Sequence, residues 1–269
     1  MKIVIGTNTF GKYHRQNVAV ESWHHLRDTF NCVSLHDVQF RNEPNTCYDI
    51  DQMCVLERSS DQYIDDGVKR LPFINDAIEA LSTIESDYFV YVNSDVVINT
   101  NLIKHIMKKQ PNSFACSRVD TYPIKSFQQV LDKKIKQARY EIAGFDVFVF
   151  KRDWYLQNKN LFGDYLIGQP HWDQTYATIL KIFGGGEPFG NNYPPFCFHE
   201  RHEMTWQLGM SLEREFNSNC SKRPLDRLLG KIFHDYLDRV LVKRQPYGAF
   251  VTPVDNERQL EKEFFNRYI

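Results

Sequence analysis

Two stretches far apart in the chain carry residue types that bind ions: Asn93-Ser94-Asp95 and His199-Glu200-Arg201-His202. A carboxylate offers oxygen and an imidazole offers nitrogen to a divalent cation, and an arginine beside two histidines also suits a diphosphate. The spacing of His199 and His202 departs from HExxH, which argues against a zinc peptidase. Asp173, in His171-Trp172-Asp173-Gln174 after Pro170, stands at a helix start, where a carboxylate can take the proton of a hydroxyl. Gly144-Phe145-Asp146 places a further acid at the head of an apolar run. Each group has a structural reading beside the chemical one. Asn, Ser and Asp favour turns, an Asp in a first helical turn often serves only the helix, and Gly144-Phe145-Asp146 also reads as a strand-initiating turn.

The elements that must position these residues follow from apolar patterning. Ile3-Val4-Ile5 reads as a buried strand that opens into the polar loop Gly6-Thr7-Asn8-Thr9. A helix is predicted from about Gln16 to Phe30, a second strand from Cys32 to Leu35, and a polar stretch from Asp37 to Asn45, while Cys47 to Asp66 fits either helix or strand plus loop. Pro72 predicts the first turn of a helix ending near Ser82. Tyr88 to Val92 is the most continuous β-type run and reads as a central strand, so Asp95 falls at the carboxyl edge of a sheet, where open α/β folds place ligands. Val96-Val97-Ile98 continues it, and a helix from about Thr100 to Lys109 follows. Farther on come a partly helical stretch around Phe127 to Arg139, a strand over Gly144 to Phe150, and a helix from His171 to Phe183 closed by Gly184-Gly185-Gly186. The run Phe196-Cys197-Phe198 delivers His199, and Leu225 to Val242 and Arg258 to Tyr268 alternate in a helical way.

An apolar strand, Asn93-Ser94-Asp95, then a second apolar run resembles the DxD signature of GT-A glycosyltransferases, with Asn93 in place of the first acid. The order of the surrounding elements is similar to that family from Met1 to Trp206. The resemblance implies an α/β, GT-A-like (Rossmann-like) fold with a mixed, mostly parallel sheet flanked by helices and a C-terminal helical extension. The expected division is residues 1–215 as the catalytic domain and 216–269 as the extension. It further implies a sugar transferred from a nucleotide-diphosphate sugar, UDP-linked for preference, to a hydroxyl of a glycan or lipid-linked glycan, assisted by Mn2+ or Mg2+. Inversion is the expectation if Asp173 is a base aligned behind the acceptor, and retention if no carboxylate reaches that face. Asp95 and His199 would be metal ligands, with His202 as alternate to His199, and Asp173 the base. Thr7, Asn8, Thr9, Asn93 and Ser94 would face the nucleotide and diphosphate. Asp146 and Trp172 would face the donor sugar or acceptor, Trp172 being otherwise core. Arg70 reads as a diphosphate contact or a solvated charge, Asp61 as a ribose or base contact or a loop acid, and Trp206 as a cap on the histidine loop.

Composition bounds the rest. With 42% hydrophobic and 25% charged residues over 269 positions, the chain suits one main α/β domain with a full core. A net charge of -1 supplies no field for a polyanion, so nucleic acid is not expected. The six cysteines form no CxxC pair and read as reduced thiols. Ile3-Val4-Ile5 is too short for a signal peptide and no window reaches membrane-spanning length, so the expectation is a cytoplasmic protein. Arg223, Arg227, Lys231, Arg239, Lys243 and Arg244 give the tail a basic lean. That leaves three roles open for it: packing on the domain, dimer formation, or contact with the inner face of an anionic membrane. Two other classes share a nucleotide and metal on such a sheet: a nucleotidyltransferase acting on sugar phosphates, and a non-catalytic nucleotide or carbohydrate binder.

Overall fold

The computed structural model describes residues 1–9, 14–40, 48–64, 69–185, 195–202, 211–237 and 264–265, with residues 138–143 described in backbone only. Its frame is a mixed sheet of eight strands: β1 (Ile3–Thr7), β2 (Val33–Phe40), β3 (Gln52–Leu56), β4 (Tyr88–Val92), β5 (Val96–Ile98), β6 (Ser113–Thr121), β7 (Gln137–Lys151) and β8 (Cys197–Glu200). Their order across the sheet is β3-β2-β1-β4-β7-β6-β8-β5. The β3-β2-β1-β4 half and the β6–β8 pair are parallel, whereas β4–β7, β7–β6 and β8–β5 are antiparallel. The carboxyl ends of β1 to β4 therefore open on one edge.

The helices are α1 (His14–Thr29), α2 (Ile74–Ser82), α3 (Thr100–Lys109), α4 (Gln128–Leu131), α5 (Arg152–Asn158), α6 (Trp172–Phe183), α7 (Leu212–Cys220) and α8 (Pro224–Tyr236). β1 and β4 are buried at every position because helices cover both faces, which is why they read as unbroken apolar runs. One core holds α1 and α3 against the sheet, with Val18, Trp23, Leu26 and Leu102 among its residues. The other holds α2, α5, α6 and α8, and takes in Phe264 and Phe265. At Gly6 the second core comes so close that an added Cβ would lie 2.2 Å from Leu81 Cδ2.

Several boundaries differ from the sequence expectation for identifiable reasons. β2 runs on to Phe40 through the supposedly polar Asp37 to Gln39, because Val38 and Phe40 fill the core while Asp37 and Gln39 hydrogen-bond to Thr9. Pro72 lies ahead of α2, in a bridge with Ser59, and Phe73 is the N-cap. β7 begins at Gln137, so Gly144-Phe145-Asp146 is mid-strand rather than a turn, opposite register shifts on β6 at Ser117. β6 and α5 were not anticipated at all. The expected division at residue 215 falls within α7.

The five described cysteines are free thiols. Among the described residues, no helix is long and apolar enough to cross a membrane. Trp206, Asp65, Asp66, Cys47, Arg239, Lys243 and Arg244 lie outside the described residues.

Candidate active site

Strand register assembles the site. β5 starts immediately after Asp95, and its Val96 pairs with His199 of β8. On the other side of β8, Asp120 of β6 pairs with the same His199. His199 is thus flanked by two acids, its Nε2 3.5 Å from Asp95 Oδ2 and its Nδ1 3.4 Å from Asp120 Oδ1. His202, just past β8, brings its Nε2 to 3.3 Å from the same Asp95 oxygen. Ligand atoms of Asp95, His199 and His202 all fall within 4.8 Å of one another. One carboxylate oxygen and two imidazole nitrogens at that spacing fit a divalent cation, with room in its shell for oxygens of a ligand. Asp120 behind His199 is the kind of partner that orients a ligating imidazole.

The charges settle accordingly. Burial alone would push the Asp95 carboxyl up, but hydrogen bonding to His199 and His202 outweighs it and holds the acid far below the usual range. Burial would likewise strip the proton from His199, yet the close carboxylates of Asp120 and Asp95 prevail and raise it to about 9. At neutral pH the metal-free imidazole is therefore charged, and a cation must displace its proton.

A second layer lies beside this group. Asn93 closes the turn after β4, and its backbone N–H donates to the Asp146 carbonyl at 3.0 Å. Its side-chain Nδ2 donates to Asp146 Oδ1 at 2.5 Å, while Arg118 donates to Asp146 Oδ2 at 2.6 Å and to Asp120 Oδ1 at 3.0 Å. One guanidinium thereby ties the acid behind His199 to the acid of β7. The side chain of Asn93 engages Asp146. Asp173, in the first turn of α6, is also brought near, since the Asp146 charge acts on it. Burial first and Asp146 second raise its carboxyl to about 7, against the opposing pull of first-turn amides and Arg118. His171 just before it has a φ of 85°, an uncommon conformation for a residue with a side chain.

Trp172 takes the core alternative. It is 4% exposed and packs among Tyr91, Phe148 and Tyr176. Thr7, Asn8 and Thr9 sit at the carboxyl end of β1. Thr9 donates from its backbone N–H and hydroxyl to the fully buried Asp37, at 3.1 and 2.6 Å. Thr7 Oγ1 and Asn8 Oδ1 are buried without a hydrogen-bond partner among the described residues. Ser94 lies in the turn after β4, half-buried. Arg70 lays its guanidinium 4.3 Å from the Phe40 ring at the end of β2. Asp61 is exposed on a single 3-10 turn and accepts from Ser59, outside the Asp95 group.

Sequence reading missed Asp37, Arg118, Asp120 and Arg15. Arg118 and Asp120 were hidden in a strand broken by polar residues. Arg15, on α1, donates from Nε to Asp95 Oδ2 at 3.3 Å.

No protein-family model and no curated protein matches the sequence. Among solved structures, the chain is similar to S. aureus TarS 1–349 in complex with UDP-GlcNAc, at 12% identity and a TM-score of 0.53 over 100% of this chain and 72% of that one. It is also similar to the mannosyltransferase PcManGT from Pyrobaculum calidifontis in complex with GDP-Man and Mn2+, at 10% identity, TM-score 0.44, covering 98% of this chain and 85% of that one. The glycosyltransferase GlyE of Streptococcus pneumoniae TIGR4 matches at 10% identity, TM-score 0.40, over 88% and 64% of the two chains. The chain shares its fold, a mixed α/β sheet flanked by helices, with TarS 1–349.

Proposed function

We propose that the chain is a metal-assisted glycosyltransferase that moves a sugar from a nucleotide-diphosphate sugar to a hydroxyl group with inversion. The observation that carries this reading is the convergence of Asp95, His199 and His202 at the carboxyl edge of a glycosyltransferase-type sheet. These three residues would hold the cation, and the mixture of oxygen and imidazole ligands favours Mn2+ over Mg2+. When bound there, a divalent cation neutralises charge on a diphosphate leaving group.

The chain's own residues do the remaining work. Thr7, Asn8 and Thr9 face the nucleoside, with Thr7 and Asn8 offering buried polar atoms that a ligand would satisfy and Asp37 fixing Thr9. Arg118 and Asn93 lock both oxygens of Asp146, whose negative charge bears on Asp173. Asp173 accepts the proton of the acceptor hydroxyl and keeps it at its carboxylate. Its proton affinity near neutrality suits that exchange, since a base works best when its pKa lies near the working pH. A base of this kind, behind the attacking oxygen, inverts the sugar carbon. The acceptor is a glycan or lipid-linked glycan in this reading.

Incubation with UDP-, GDP- and CMP-sugars and Mn2+ tests the reading. Slow nucleotide release with at least one donor supports it, and the absence of both release and thermal shift with every donor overturns it.

A further inference from the structure

Helix α1 is fixed alongside β5 by two contacts: Trp23 Nε1 donates to the Val96 carbonyl at 3.1 Å, and the Ile98 N–H donates to Ser22 Oγ at 3.0 Å. From Ser22 back to Arg15 the helix covers about 10 Å, and from Ile98 back to Asp95 the chain covers about 10 Å as well. The two side chains therefore arrive at the same level. Arg15 Nε lies 3.3 Å from Asp95 Oδ2, the same oxygen that His199 and His202 approach at 3.5 and 3.3 Å. Neither member is sealed away, with 34% of the Arg15 side chain and 21% of the Asp95 side chain exposed.

We infer that Arg15 is a built-in competitor for the cation position: a divalent ion takes Asp95 Oδ2 only as Arg15 leaves it, and the diphosphate that accompanies the ion receives the displaced guanidinium. This rests on the metal-and-donor reading above. A guanidinium is always charged and presents a planar fork that matches phosphate oxygens, so it serves either partner without titrating. The ion alone meets a positive charge on its ligand. The donor removes that charge from the ligand and engages it, so ion and donor strengthen each other. Such coupling is reciprocal by linkage.

The test is titration of Mn2+ into the full chain, followed by the electron paramagnetic resonance of the free ion, with and without UDP as probe. Wild type, Arg15→Gln, Arg15→Lys and Asp95→Asn are compared, with circular dichroism confirming that each is folded. Arg15→Gln is expected to bind Mn2+ alone about tenfold more tightly, because a like charge has gone. UDP should then enhance its Mn2+ affinity less than it does for wild type, and Arg15→Lys should remain close to wild type for Mn2+ alone. If Mn2+ binding depends on Asp95 but Arg15→Gln binds the ion no more tightly than wild type, the competitor role is overturned and the metal site stands. If Asp95→Asn binds Mn2+ as wild type does, or no variant binds it with UDP present, the site reading fails and this inference with it.

Discussion

Asp120 lies directly beside His199 in the parallel β6–β8 register, its Oδ1 3.4 Å from the imidazole Nδ1. With Asp95 on the other nitrogen, this contact outweighs burial and holds the His199 proton up to about 9. Mn2+ needs the neutral imidazole, so its apparent affinity should climb about tenfold per pH unit from 7 to near 9. Asp120→Asn removes the main support for that proton and should flatten the slope over the same range. Calorimetric titrations at several pH values check this, and an unchanged slope in the variant would count against the coupling.

Asp173 is expected to trade stability for chemistry. Its folded-state pKa of about 7 lies above the ordinary 3.8, so its protonated form favours the fold and that contribution is lost as pH rises through 7. Asp173→Asn should therefore be more stable than wild type at pH 8, on the order of 2 kcal/mol after allowance for partial exposure, and should show little difference near pH 4. The same variant should lose transfer while retaining donor binding. Denaturant melts at the two pH values, set beside donor binding and turnover, measure all of these.

The rate of transfer should rise with pH through about 7 as Asp173 loses its proton. Asp146→Asn removes a negative charge that raises the Asp173 pKa and releases Arg118 from one of its two carboxylates. Both changes favour the Asp173 anion. The pH–rate limb of Asp146→Asn should shift to lower pH, and a shift to higher pH would contradict the placement of these charges.

Much of the frame was legible because β1, β4 and β5 are buried on both faces and so read as continuous apolar runs. Asp95 and His199 stood out because each adjoins such a run. β6 was illegible for the opposite reason. Ser117, Arg118 and Asp120 look like loop residues in sequence, and the charges of Arg118 and Asp120 are tolerated in a central strand because Arg118 pairs with Asp120 two residues along β6 and with Asp146 across on β7. Asp37 was hidden likewise, since Thr9, which with the neighbouring Gln39 satisfies its carboxylate, is brought to it by folding from 28 residues away. The preference of Trp172 for the core depended on Tyr91 and Phe148, which no local pattern connects to α6.

Packing at the first strand offers a test independent of chemistry. Gly6→Ala would drive a methyl group to 2.2 Å from Leu81 Cδ2, and α2 must shift or Leu81 must leave its rotamer. The expected loss is about 1–3 kcal/mol in urea unfolding, as for other overpacked cores. Adding Leu81→Ala should recover part of it, and an unaltered single variant would argue against this close approach.

The central claim is that Asp95, with His199 and His202, binds the cation that holds the donor diphosphate. Calorimetric titration of UDP into wild type and Asp95→Ala, each with Mn2+ and with chelator, measures it most directly. Wild type should bind UDP at least tenfold more tightly with Mn2+ than without, and Asp95→Ala should show no Mn2+ enhancement. Equal enhancement in the variant would contradict the assignment of Asp95 as a metal ligand.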